Sequence, residues 1–317
     1  MKQTERVKKV CCFVIFLLLC NSNMTTFGES SEGVKYLSND TKHWDRYPVF
    51  SPDGKEIIFQ TERDKNVEIY IMNADGTNPR RITFTEKDEM HAVFSPNGKQ
   101  IAYSLYPLSD NQNSDIYIKT LNDATDILIT KGEDIFGAIP QFSPDGKKLV
   151  FPRWSTNPQK VRSESDLRAE VYLVDLESQN EARLTSNLTD EWRPVFSPDG
   201  KQIAYISHID GNYEIYVMNV DGSNKTRLTK NNSDEWDPMY SPDGKKMLFS
   251  SKREGNWDIF IMDKDGRNQK QLTDDPGDEW DPTFSPDGKN IVFAGERNKK
   301  HGIFIMDNDL PPFLVPP

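Results

Sequence analysis

Cysteine is missing from all but the start of this chain: Cys11, Cys12 and Cys20 are the only three. A disulfide framework and a thiolate metal site are therefore excluded from whatever folds beyond the first stretch. Histidine is almost as scarce. His43, His91, His208 and His301 share no spacing, which leaves little material for imidazole bases or a transition-metal site. No Gly-x-Ser-x-Gly elbow, His-Glu-x-x-His helix or glycine-rich phosphate loop occurs, so hydrolase, metalloprotease and nucleotide-binding chemistries find no motif. Positive charge is also short, with 39 Lys and Arg against 50 Asp and Glu and a net charge of −11. An excess of that sign repels a phosphate backbone, and no nucleic-acid partner is expected.

Long apolar runs are absent too. Residues 10–19 form an apolar stretch that follows Lys2, Arg6, Lys8 and Lys9 and is too short to span a bilayer. That arrangement reads as a signal peptide over residues 1–28, so an exported protein, periplasmic or secreted, is expected. The ending Leu17-Leu18-Leu19-Cys20 matches a bacterial lipobox only in part, because Leu19 is not small. Cys20 therefore reads first as an apolar filler and second as a lipid anchor in the envelope. Removing residues 1–28 takes away four basic and one acidic residue and moves the charge from −11 to −14. Such a surface is well solvated and would draw a cationic partner or a metal ion.

What the chain has in quantity is repetition. A Ser-Pro-Asp-Gly turn occurs at Ser51, Ser95 (with Asn97 for Asp), Ser143, Ser197, Ser241 and Ser285, at spacings of 44, 48, 54, 44 and 44 residues. A period of that size points to a propeller or a solenoid. Proline presets the first corner, Asp or Asn bonds its own backbone, and Gly accepts positive φ, so each copy is a hairpin tip. Around each tip four extended segments recur. Strand A ends in an aromatic residue (Phe50, Phe94, Phe142, Phe196, Tyr240, Phe284), and strand B is apolar, as in Ile203-Ala204-Tyr205-Ile206. Strand C reads Glu-Ile-Tyr-Ile-Met-Asn or close to it, and after an Asp-Gly turn strand D reads Arg-Leu-Thr. β-Branched and aromatic enrichment with Asp-Gly punctuation argues strands over helices.

Six four-stranded units imply an all-β, six-bladed propeller, since each apolar sheet must bury both faces against neighbours. The last copy stops after strand C at Asp307, while Val34-Lys35-Tyr36-Leu37-Ser38 stands alone before the first strand A. The N-terminal strand is thus expected to complete blade 6 and close the ring, giving a propeller over 34–310 and a tail over 311–317. The run Asp-Glu-Trp-Asp-Pro-x-x-Ser-Pro-Asp-Gly-Lys at 234–245 and 278–289, with Asp-Ile-Phe-Ile-Met-Asp at 258–263, resembles the WD-like repeat of the TolB-type propeller. The resemblance runs through nearly all of the chain after the signal segment. TolB itself carries an α/β domain before its propeller and no counterpart precedes the repeats here, so the resemblance implies the propeller module and not one particular task.

Comparison among the six copies separates blade-building residues from variable ones. With alternating strand directions, the A–B and C–D turns share one face of the disc, which is nearly identical in every copy and reads as structural. The D–A and B–C loops share the other face, which varies. Two strand-A rows lead towards it. The first is Asp45, Glu89, Gly137, Glu191, Glu235 and Glu279; the second is Tyr47, His91, Ile139, Arg193, Asp237 and Asp281. Period-two alternation predicts that both rows lie on one side of strand A near the channel mouth. The acids of the first row either pair with Arg63, Lys252, Arg253 and Arg297 or form an acidic ring. In the second case Glu235, Asp237 and Asp281 are candidate ligands for calcium or another divalent cation. Trp192, Trp236 and Trp280 should face away from the mouth, as wedges between blades. Blade 3 departs most, with Phe136-Gly137-Ala138-Ile139-Pro140 in place of the motif and an insertion over 152–168 that contains Trp154, Arg162 and Arg168.

These readings favour a monomeric, non-catalytic interaction module of the bacterial cell envelope. A protein or peptide partner is expected at the channel mouth, met by Tyr47, Glu89, His91, Trp154, Arg162, Arg168, Glu191, Arg193, Asp237 and Asp281. The competing reading is a carbohydrate-active or carbohydrate-binding propeller, lyase-like, with a divalent cation. Peptidase activity is not expected, since no hydrolase domain stands beside the repeats.

Overall fold

The computed structural model describes residues 33–38, 42–106, 114–123, 126–130, 139–154, 169–186, 189–297 and 300–308. The signal segment with Cys20, the tail 311–317, Gly137, Arg162 and Arg168 lie outside these residues, as does the side chain of Trp154. The strands form six four-stranded antiparallel sheets, five of them in sequence order A-B-C-D. In blade 1 these are Asp45–Phe50, Glu56–Thr61, Glu68–Asn73 and Arg80–Arg81. The sixth sheet takes its outer strand from the other end of the chain: Val34–Tyr36 pairs with Lys300–Asp307 in the register Val34↔Met306, Lys35↔Ile305, Tyr36↔Phe304.

A side-chain device marks this outer strand as a true strand D. In blades 1 to 5 the threonine of strand D accepts a hydrogen bond from a strand-C backbone amide, as Thr83 does from Ile69, Thr130 from Ile116, Thr185 from Val171, Thr229 from Ile215 and Thr273 from Ile259, all at 2.8–2.9 Å. Ser38 does the same for Ile303 at 2.9 Å. Each bond satisfies a buried amide where the ladder ends, and leaving such a donor unpaired costs about 1–3 kcal/mol.

The core lies between blades and not within one. In blade 1, Ile58, Ile69 and Ile71 pack against Phe94, Ile101 and Tyr103 of blade 2. From the opposite face of the same sheet, Ile57, Phe59 and Met72 pack against Val292 and Ile303 of blade 6. This two-sided burial is why strand B is apolar at successive positions instead of alternating.

The repeated turns form a second ring. Ser51 Oγ donates to Asp53 Oδ1 at 2.7 Å, Lys55 N donates to the same oxygen at 3.1 Å, and Glu56 N donates to Ser51 Oγ at 3.0 Å. The proline of each turn lies against the glycine of the next. A Cβ placed at Gly98 would stand 3.6 Å from Pro52 Cδ, and the series closes with Gly54 at 3.5 Å from Pro286 Cδ. The Ser-Pro-Asp-Gly face is thus a continuous collar whose residues are occupied with one another.

Candidate functional site

Strand A carries a β-bulge in blades 1, 2, 4, 5 and 6. The register passes from Arg46↔Gln60 to Val49↔Ile58, and equivalent shifts occur between Met90 and Val93, Trp192 and Val195, Trp236 and Met239, and Trp280 and Thr283. The bulged residues adopt left-handed backbone conformations, with φ of 53° at Tyr47, 57° at His91, 54° at Arg193, 54° at Asp237 and 53° at Asp281. An extra residue in that conformation re-aims the side chain. Tyr47, His91, Arg193, Asp237 and Asp281 accordingly converge, with Ile139, on one small cavity. In blade 3 the described residues give strand A only as Gln141–Phe142.

The same bulge corrects the expectation that both rows share a side. Asp45, Glu89, Glu191, Glu235 and Glu279 are turned into the blades, at 0–1% exposure. Arg63 Nη2 donates to both oxygens of Asp45 at 3.0 Å, Arg253 pairs with Glu235 at 2.8 Å, and Arg297 pairs with Glu279. Lys252 takes no part in these pairs. Glu89 accepts from Thr85 Oγ1. Burial raises Glu89, Glu235 and Glu279 to about 7, opposed in the last two by their arginines. Trp192 is buried as a wedge, with Trp236 packed in the same cluster. A further row escaped the sequence reading: Glu68, Glu170 and Glu214, at the start of strand C, pair with the strand-D arginines Arg81, Arg183 and Arg227.

In the cavity the geometry is that of a clamp. Arg193 Nη2 stands 2.5 Å from both Asp237 Oδ1 and Asp281 Oδ1, and its guanidinium lies 4.6 Å from the Tyr47 ring. Asp237 Oδ2 accepts from Ser250 Oγ at 3.0 Å and from the Asp281 amide at 3.2 Å. Tyr47 meets the edge of His91 at 4.4 Å, and His91 in turn lies 6.0 Å from Tyr106. Burial pushes the Tyr47 phenol above its usual range and keeps it neutral. Burial also raises Asp281, helped by its neighbour Asp237 and opposed by Arg193. Burial works against the charge of Arg193, but Asp237, Tyr47 and Asp281 outweigh it and hold the guanidinium charged. The cavity measures about 60 Å³, room for a few water molecules.

Of the three proposed cation ligands, Glu235 is thus held by Arg253 within its blade, while Asp237 and Asp281 share the guanidinium of Arg193 in the place a cation would take. Among the described residues no group of three or more His, Cys, Asp or Glu is placed to hold a metal ion. His208 and His301 lie elsewhere, each against a different aromatic ring. Of the expected insertion in blade 3, Pro152–Trp154 continues strand B and pairs with Val171, Glu170 and Ala169 of strand C, and the remainder lies outside the described residues.

A larger pocket of about 310 Å³ opens beside the clamp between blades 1 and 2, where Trp44, Arg46, Lys65 and Met90 join Tyr47 and His91. Trp44 and Arg46 were not singled out by the sequence reading. The signal was present: Arg46 occupies the strand-A position that holds Trp192, Trp236 and Trp280 in blades 4 to 6.

The family model described as "TolB beta propeller domain" matches residues 30–151, 89–237, 148–260 and 235–310. The Tol-Pal system protein TolB of Francisella tularensis subsp. holarctica is 30% identical over 166 residues, covering 50% of this chain and 34% of the relative. The solved structure of a TolB described as such from Agrobacterium tumefaciens superposes with a TM-score of 0.63 at 26% identity, covering 84% of this chain and 91% of that one. An oligogalacturonate lyase solved with manganese shares the fold at a TM-score of 0.61 and 14% identity, covering 88% and 95%. The matched part of the chain spans 22% to 49% of the length of the curated relatives.

Proposed function

The chain belongs to the TolB β-propeller domain family, and from that premise we propose that it is a non-catalytic interaction module of the bacterial cell envelope that receives a protein or peptide at the variable face. The observation that carries this reading is the division of labour along strand A. The repeated carboxylates are buried inside the blades, three of them (Asp45, Glu235 and Glu279) paired with arginines, whereas the bulged row, which differs from blade to blade, is delivered to the axis. Positions that vary among structurally equivalent copies are free to follow a partner. The turns of the opposite collar use their serine and aspartate groups on one another and repeat nearly unchanged from blade to blade, although a pocket of about 900 Å³ opens beside Asp53 and Asp287 where blades 1 and 6 meet. The expected signal peptide over residues 1–28 would accord with an envelope setting. A cavity of about 60 Å³ at the clamp suits a closed resting mouth, beside which a peptide engages the larger pocket.

Capture from envelope extracts tests the reading. A partner retained by the wild-type protein and by Lys147→Glu on the collar, but lost with Lys65→Glu at the pocket rim, is the expected result. Equal retention by all three proteins would overturn it.

A further inference from the structure

Arg46 stands apart from the other arginines. Among the described residues every other arginine has a carboxylate oxygen within 4.0 Å. In a chain with 50 acidic residues that is the expected fate of a guanidinium. Arg46 has neither an ion pair nor a hydrogen bond from its head group, and its Nε is buried without a partner. Its one close interaction is with Trp44, whose ring lies 4.6 Å from the guanidinium carbon. Arg46 is half-buried and lines the 310 Å³ pocket between blades 1 and 2; its charge acts on Asp281 and Tyr47 from a distance, but no carboxylate is seated on it.

We propose that the pocket at Arg46 is a subsite for the carboxylate of an acidic peptide segment of the partner. The assignment rests on the reading that the variable face receives a peptide, and it names the chemistry recognised there. A planar guanidinium fixed by stacking on Trp44 presents a fork suited to a carboxylate, and Lys65 at the rim adds positive charge. Two carboxylates, Glu62 and Asp88, also line the pocket, and several of its other polar groups are committed. Asn66 donates to Glu68, Thr85 O and Lys87 O; Asp88 accepts from the Val67 amide; Thr61 accepts from Arg63. Trp44 already meets His301 at 4.1 Å as well as Arg46. A sugar ring needs several open hydrogen-bonding groups and a free aromatic face, whereas a carboxylate on a short aliphatic stem needs one cation. The pocket supplies the second set.

The test titrates the full chain with acetyl-Ala-Glu-Ala-amide, its Gln counterpart and galacturonic acid, following the Trp44 indole N–H resonance, assigned with Trp44→Phe. The Glu peptide should shift that resonance saturably and the Gln peptide should bind far more weakly. Arg46→Met should weaken the Glu peptide by about 10- to 100-fold, the range of a charge-assisted bond, with an unchanged thermal midpoint. Equal titration by the Gln peptide, undiminished binding by Arg46→Met, or a response to galacturonic acid alone would overturn the assignment. If it falls while Lys65→Glu still releases a captured partner, the reading of the variable face stands without it.

Discussion

Glu235 and Glu279 sit at 0% exposure against Arg253 and Arg297, and burial raises both carboxyls from 4.5 to about 7. Between those values the native state keeps protons that the unfolded chain has released. Stability must therefore fall as pH rises through that window, with each unit of displacement worth about 1.4 kcal/mol. The turn aspartates have the opposite sign: hydrogen bonds from the turn serines lower Asp53 and Asp287, and their contribution disappears only below about pH 4. Urea midpoints at pH 5, 6, 7 and 8 for wild type and Glu235→Gln separate the two. The wild-type slope should exceed that of the variant by on the order of 1 kcal/mol across the window, whatever constant offset the unpaired Arg253 adds; parallel slopes would refute the assignment.

The closing strand shows what a single element contributes. Val34–Tyr36 is only three residues long, and it is anchored by Ser38 in the role that threonine plays in the other blades. Ser38→Ala should cost about 1–3 kcal/mol by orphaning the Ile303 amide. Hydrogen exchange at Ile303 should accelerate far more than at Ile215, where Thr229 is untouched. This element was legible in the sequence because a missing Arg-Leu-Thr at one end and a stray Tyr-Leu-Ser at the other are complementary. Strand A was legible only in part. Its ends and its aromatic residue follow from the pattern, but period-two alternation placed the first-row carboxylates beside the second row. The left-handed residue that defeats alternation is Tyr, His, Arg or Asp, and none of these announces positive φ as glycine does. A prolyl residue follows it in four blades (Pro48, Pro194, Pro238, Pro282). Proline inside a strand signals a broken ladder, and that clue to the bulge was available.

At the scale of the whole molecule, the clamp joins blades that are far apart in sequence. Arg193 of blade 4 holds Asp237 of blade 5 and Asp281 of blade 6 and lies over Tyr47 of blade 1, while Thr283 Oγ1 donates to Pro48 O across the seam at 2.9 Å. Arg193→Met leaves two buried carboxylates facing each other without a cation, a loss of about 3–5 kcal/mol when both are ionised. Protonation of one relieves the repulsion, so the destabilisation should be largest at pH 8 and shrink towards pH 5, as thermal midpoints would show. A loss independent of pH would mean that the clamp acts through packing alone. The repeats reveal the ring, yet the clamp arises from four blades meeting at an axis, which no single repeat contains.

The division of the disc into a self-occupied collar and a receptive variable face is tested most directly by site-specific photo-crosslinking in cells. Crosslinkers at Glu62 and Asp210 stand on loops of the variable face, and crosslinkers at Lys55 and Lys147 stand on the collar. The account predicts a discrete adduct from the first pair and none from the second. An adduct that forms from Lys55 or Lys147, with none from Glu62 and Asp210, would contradict it.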